Sequence, residues 1–131
     1  MNHLVMVVED HPSLKRLLTR YLESSNISYI FASSVEDALS LFHHNVGEIT
    51  HIALDGNLGD FSDVPDTLCL AQLIGKSVDF HGVVFPTSSH PEHNESLQKA
   101  IGDRCQILPF GSAMLKFRVI QHIINLIKPE Q

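Results

Sequence analysis

The first hydrophobic run, His3 to Val8, shows no alternation and stops abruptly at Glu9-Asp10. An unbroken, Val-rich run of that length predicts a central parallel strand covered on both faces. Pro12 suits the first turn of a following helix, with Asp10 or His11 as its cap. Leu14, Leu17, Leu18, Tyr21 and Leu22 keep helical spacing to about Ser25, and Asn26 breaks the pattern. Ile27 to Ala32 reads as a second strand. Ser33-x-x-Glu36 has the spacing of a capping box, ahead of a helical stripe of Val35, Ala38, Leu39 and Phe42 that stops near Asn45-Val46-Gly47.

The pattern then repeats. Ile49 to Leu54 predicts a third strand running into the polar loop Asp55-Gly56-Asn57-Leu58-Gly59-Asp60, which continues through Asp63 and Pro65. Thr67, Leu70, Ala71 and Ile74 support a third helix ending near Gly75. Val83-Val84-Phe85 is a short fourth strand, followed by Pro86-Thr87-Ser88-Ser89 and a weakly apolar helix from about Pro91 to Ile101. Cys105 to Leu108 predicts a fifth strand, closed by Pro109-Phe110-Gly111. The last helix, Ser112 to Ile127, carries Ala113, Phe117, Ile120, Ile124 and Ile127 at helical spacing. Pro86 removes an N–H just before Thr87, so a strand paired on both sides should end or bulge at Phe85. Five strands alternating with five helices predict an α/β fold, a parallel sheet wrapped on both faces.

In such sheets ligands bind beyond the carboxyl ends of the strands, at the switch point of strand order. Those ends read Glu9-Asp10, Asp55, Thr87-Ser88 and Leu108-Pro109. Three carboxylates at neighbouring strand ends repel one another unless a cation sits among them. Hard oxygen donors of this kind suit Mg²⁺. A carboxylate, a metal and the Thr87 hydroxyl together would suit acceptance of a phosphoryl group on an Asp. Any single acidic strand end is more often a solvated loop residue or a helix cap; the agreement of three carries the reading.

Composition narrows the classes. The 131 residues fit one domain, 1–131, with no effector domain, and 44% apolar against 18% charged residues excludes a disordered chain. A net charge of −6 without a basic run argues against direct nucleic-acid binding. No apolar stretch is long enough for a membrane span, and the amino-terminal residues lack the basic flank of a signal peptide. Cys69 and Cys105 lie far apart, as expected of reduced thiols in a cytoplasmic protein.

Taken together, the motifs resemble the response-regulator receiver domain over essentially the whole chain. VVEDHPSLKRLL is similar to that family's first strand, acidic pair and first helix, and LDGNLGD to its phosphoacceptor strand and loop. VVFPTSS is similar to the fourth strand with its switch hydroxyl, and ILPFGSAML to the fifth strand and its Pro-Phe step. The resemblance implies a flavodoxin-like, doubly wound (βα)5 fold with strand order 2-1-3-4-5. It implies Asp55 as phosphoacceptor, Thr87 as switch hydroxyl with the small residue Ser88 beside it, and Mg²⁺ (or Mn²⁺) held by Asp10, Asp55 and the Asn57 carbonyl, with Glu9 acting through water. It also implies a signalling module rather than an enzyme, at most phosphorylating itself from small donors and dephosphorylating itself. The donor would be a sensor histidine kinase or a histidine phosphotransfer protein. The output would be a protein bound on the helix 4–strand 5–helix 5 face, and a homodimer stays open.

Two positions depart from the family. Leu108 stands where a Lys precedes the Pro after strand five, and Cys105 where an aromatic ring usually follows the switch hydroxyl. Lys116 reads as too far into the last helix to replace that Lys; His11 and Lys15 could add only positive potential. These departures favour an alternative, a pseudo-receiver that binds partners without switching on phosphate. A flavodoxin-like cofactor binder would need a phosphate loop after strand one, where EDHPSLK supplies carboxylates instead. An aspartate-based phosphatase would need a second acid where Asn57 stands.

Nine His are many for this length. His90-x-x-His93 has a spacing that can hold a transition metal, but no third ligand is spaced for it, and solvated helix-start residues are the simpler expectation. His43-His44 end a helix, where partial positive charge complements the dipole. Cys69, among apolar neighbours, is expected to be a buried, inert thiol, and Cys105 to have a packing role.

Overall fold

A computed structural model describes residues 2–59, 64–111 and 114–129. Its elements are β1 (Val5–Val8), α1 (Pro12–Ser24), β2 (Tyr29–Ala32), α2 (Val35–Asn45), β3 (His51–Leu54), α3 (Leu68–Lys76), β4 (Val83–Pro86), α4 (Pro91–Ile101) and α5 (Leu115–Ile127). Asp60 and Asp63 of the polar loop, and the expected helix start at Ser112 and Ala113, lie outside the described residues. No helix among the described residues is long and apolar enough to cross a membrane.

All the strands run parallel, in the order β2-β1-β3-β4. Residues of β1 alternate between two cores, because successive side chains leave a strand on opposite faces. Val5 and Val7 join Leu18 and Leu22 of α1 and Val119, Ile120 and Ile123 of α5. Met6 and Val8 join Phe42 of α2, Leu70 and Ile74 of α3, and Leu97 of α4. Burial on both faces explains why the strands read as unbroken apolar runs rather than alternating ones.

The fifth strand is much reduced. Cys105 makes an isolated bridge to Val84, through Val84 N–H to the Arg104 carbonyl at 2.8 Å and Gln106 N–H to the Val84 carbonyl at 2.9 Å. Pro86 explains why it goes no further. The chain does not end or bulge at Phe85; β4 continues through Pro86, level with Leu54 of β3. Alternate backbone N–H groups of β4 face opposite neighbours: those of Val83 and Thr87 donate to β3 carbonyls, and that of Val84 to Arg104. The missing N–H of Pro86 therefore faces the 105–108 segment, where the next ladder bond to Gln106 cannot form.

Local signals shift by small amounts. Ser34, not Ser33, caps α2: its hydroxyl accepts from Asp37 N–H at 3.1 Å. His11 is the N-cap of α1 but makes no side-chain cap bond, and Pro12 follows as expected. Asn26 takes a left-handed φ of 57° just past α1, a conformation Asn tolerates better than most residues. In α1, Leu18 and Leu22 are buried while Leu17 and Tyr21 remain exposed. Cys69, expected inside, is exposed, because it lies on the outer side of α3 from Leu70, Ala71 and Ile74. Cys105 is buried, and burial pushes its thiol up to about 12, which fits a packing role.

Candidate functional site

The register lines up the strand ends. Val8 is level with Leu54, and Leu54 with Pro86, so the next residues, Glu9, Asp55 and Thr87, stand side by side. The ladder continues through them: Glu9 N–H donates to the Ala32 carbonyl, Asp55 N–H to Val8 and Thr87 N–H to Leu54. Each lies two residues beyond Val7, Ala53 and Phe85, which face α1 and α5. Period-two alternation thus directs all three side chains toward the side of the sheet that carries α5.

All three are buried, with Glu9 only 1% exposed and Asp55 5%. Burial of two adjacent carboxylates needs a counter-charge, and the chain supplies one. Lys116 Nζ donates to Asp55 Oδ2 at 2.8 Å and also to Glu9 Oε1. The helix that carries it begins at Leu115, so Lys116 lies in its first turn, beside the strand ends rather than deep along the helix. The expectation that Lys116 lies too far along the chain is corrected. Placing the helix start three residues early moved it, in register, almost a full turn away from the pocket.

His11 adds a second side-chain partner for the acidic pair. Its Nδ1 lies 2.8 Å from Glu9 Oε2 and 3.2 Å from Asp10 Oδ1, and Glu9 Oε2 also accepts the N–H groups of Asp10 and His11. Lys15 turns away and sits over the ring of Phe31. These contacts set the ionisation of the pocket. Burial pushes the Asp55 carboxyl up, more than the Lys116 ammonium pulls it down. Burial would raise Glu9 too, but hydrogen bonds from Lys116 and His11 outweigh it and hold Glu9 below the usual carboxylate range. Burial works against the Lys116 ammonium, yet Asp55 and Glu9 keep it above its ordinary value. Burial and the Glu9 side chain raise Asp10.

The loop after β3 is braced from α3. Thr67 Oγ1 donates to the Asp55 carbonyl at 2.7 Å, and Leu58 N–H donates to both carboxylate oxygens of Asp66. Asp66 and Thr67 had no place among the expected site residues, although an acid and a hydroxyl just before a helix are a usual capping signal. The Asn57 side chain accepts from Gly59 N–H, and its own N–H approaches Asp55 Oδ1 at 3.4 Å. Its carbonyl is the group that the resemblance assigns to a metal.

Ser88 faces α4 instead of the carboxylates. Asn94 clamps its backbone in both directions, and Ser88 Oγ accepts from His90 N–H. His93 is fully buried, not solvated: it packs under Gly56, where an added Cβ would come within 2.9 Å of His93 Cβ. The His90 and His93 rings lie 5.3 Å apart, tilted. His43 and His44 do stand in the last turn of α2, with His44 Nδ1 at 2.7 Å from the Ser40 carbonyl.

A divalent cation fits this donor set. Glu9, Asp10 and His11 place ligand atoms within 4.8 Å of one another, and buried Asp10 Oδ1 has the 3.2 Å approach of His11 Nδ1 but no hydrogen bond among the described residues. The Asp10 and Asp55 carboxylates and the Asn57 carbonyl that the resemblance assigns to Mg²⁺ or Mn²⁺ are hard donors of the right kind, but Asp55 lies outside this close group and bonds Lys116 instead.

No family model and no curated protein sequence matches the chain. Solved structures do. A response regulator receiver protein from Pseudomonas putida is 21% identical, with TM-score 0.64, over 94% of this chain and 98% of that one. The signal receiver domain of a putative Luxo repressor protein from Vibrio parahaemolyticus is 22% identical, with TM-score 0.61, over 99% and 95%. The receiver domain of Francisella response regulator 1452 is 20% identical, with TM-score 0.65, over 96% and 99%. By its strand order, its two helical layers and these neighbours, the chain has the fold of a response-regulator receiver domain.

Proposed function

We propose that this protein is a phosphoacceptor receiver of a two-component or phosphorelay system, taking a phosphoryl group on Asp55. The observation that carries the reading is the alignment of Glu9, Asp55 and Thr87 at the strand ends, with Lys116 bonded to the first two. In the reaction an Asp55 carboxylate oxygen attacks the phosphorus of a phosphohistidine. A P–O bond forms, the P–N bond breaks, and its electron pair stays on the imidazole nitrogen, which takes a proton from solvent.

Asp10, Asp55 and the Asn57 carbonyl would hold Mg²⁺, with Glu9 beside them, and the ion would neutralise charge on the transferring group. The protein's own groups do the remainder. Thr67 and Asp66 fix the loop that presents Asp55, Lys116 offsets its charge, and the Thr87 hydroxyl at the next strand end would bond a phosphoryl oxygen. The phosphoryl donor would be a sensor histidine kinase or a histidine phosphotransfer protein. The output would be a protein target on the face of α4, the 105–108 segment and α5, where Ile107 is exposed. The alternative of a non-switching interaction module rests largely on Leu108 standing where a Lys is usual. Lys116 weakens it, because an ammonium reaches Asp55 from elsewhere.

The test is incubation with Mg²⁺ and acetyl phosphate, followed by intact mass measurement. Wild type should gain one phosphoryl group and Asp55→Ala none. No gain in wild type would overturn the reading.

A further inference from the structure

Between α1, the Thr87–Ser89 loop and the start of α5 lies a cavity of about 280 Å³. Leu14, Thr87, Ser89, Leu115, Lys116 and Phe117 are among its lining residues. It carries a hydroxyl and an ammonium beside Asp55, and the ammonium already touches Asp55 Oδ2. Leu108 brings no charge to this space: it is half-buried against the apolar core of the α1/α5 face. The cation therefore comes from the first turn of α5 and not from the end of the fifth strand.

That origin changes which part of the fold can sense the pocket. The 105–108 segment is joined to β4 by a single bridge, and Pro86 removes the next donor from the β4 side. Helix α5 is tied to the pocket by the Lys116 bonds and by packing of the residue just before Lys116. Leu115 is buried, and the exposed Met114 before it takes a left-handed φ of 58° as the chain enters the helix.

We infer that Lys116 is the phosphoryl-binding cation of this site, and that through it the first turn of α5 reports the state of Asp55. The inference rests on the phosphoacceptor reading. Transfer replaces a carboxylate carrying one negative charge by an acyl phosphate whose charge lies farther out, on the phosphoryl oxygens. Oδ2 is then no longer an equivalent anionic partner, and the ammonium follows the charge into the cavity. Its stem is anchored in α5, so the helix start moves or tightens with it.

The test compares wild type, Lys116→Met and the double variant Lys116→Met/Leu108→Lys, each with Mg²⁺ and acetyl phosphate. Phosphoryl occupancy is read by intact mass, and backbone amide exchange is read over Leu115–Ile120 before and after phosphorylation. Wild type should gain the phosphoryl group and change its exchange in that segment. Lys116→Met should be phosphorylated at least about tenfold more slowly and lose the α5 change, as expected on removing one pre-placed charge-stabilising donor. The double variant restores an ammonium from the sheet side, which keeps the pocket neutralised even if Lys116→Met alone folds poorly. It should accept phosphate without restoring the α5 response. An α5 response in either variant equal to wild type would overturn the inference. Wild type that gains no mass would overturn the phosphoacceptor reading itself, and this inference with it.

Discussion

Lys116 Nζ stands 2.8 Å from Asp55 Oδ2, across 61 residues of sequence, and also bonds the neighbouring carboxylate of Glu9. One ammonium thus balances two carboxylates that the sheet register forces together. Removing it leaves two buried carboxylates side by side, with His11 and the backbone N–H groups supporting Glu9 but no cation on Asp55. Such losses cost about 3–5 kcal/mol for fully buried pairs, and Lys116 keeps 19% of its side chain exposed. Lys116→Met should therefore lower unfolding free energy by about 2–4 kcal/mol without divalent metal. Asp55→Asn in the same background should return part of the loss, and a double-mutant cycle by urea denaturation should give a coupling above about 1 kcal/mol. Additive effects of the two changes would show that the contact contributes little.

Pro86 gives a second prediction. Its ring removes the N–H that would bond Gln106 and extend the bridge at Cys105 into a strand. Pro86→Val should let that bond form, giving a protected amide at residue 86, and by extending the pairing should also slow exchange at Leu108. The net stability change should stay within about 1 kcal/mol, because the new hydrogen bond is offset by the freer unfolded chain. Amide exchange measured by NMR would decide it: an unprotected amide at residue 86 with unchanged exchange at Leu108 would mean that something other than Pro86 limits the pairing.

The helix cap of α2 separates two adjacent serines. Ser34 accepts from Asp37 N–H at the start of the helix, whereas Ser33 lies one residue too early for that bond. Ser34→Ala should cost about 0.5–2 kcal/mol and Ser33→Ala a few tenths. Equal losses in thermal unfolding would return the cap to Ser33.

His51 opens β3 at the opposite end of the sheet from Asp55. Burial, with His3 beside it at 5.9 Å between ring centroids, pushes its imidazole down to about 4. The unfolded chain, near its ordinary value of 6.5, binds this proton more readily than the folded one. Stability should therefore rise with pH across roughly 4 to 6.5 and fall as pH drops through that window, by up to about 3 kcal/mol from this group. His51→Gln should flatten that part of the profile in urea titrations at pH 7, 5.5 and 4.5. An unchanged slope would place the acid sensitivity elsewhere.

How far the sequence reaches depends on the kind of signal. Apolar runs located β1, β3 and β4, and marked β1 as central, because burial on both faces leaves a continuous hydrophobic imprint. The acidic strand ends were equally plain, since Glu9 and Asp55 directly follow such runs. Long-range placement was not. Lys116 reaches Asp55 only because α5 starts at Leu115 and because residues 9, 55 and 87 point to its side of the sheet, a joint consequence of strand parity and helix register. Alternation was readable from Val7, Ala53 and Phe85 onward; the helix start was not, because Ser112 is a plausible cap on its own. His93 shows the same limit. Its spacing from His90 suits a metal pair, and the lack of a third ligand suggested solvated residues, while the tertiary fold lays it under Gly56.

The central claim is chemical and belongs to one residue. After incubation with Mg²⁺ and acetyl phosphate, borohydride reduction converts an aspartyl phosphate to homoserine, which peptide mass mapping locates by position. Homoserine is expected at residue 55 and at no other carboxylate, and none when Mg²⁺ is chelated beforehand. An unreduced Asp55, or reduction at Asp10 or any other acidic residue instead, would contradict it.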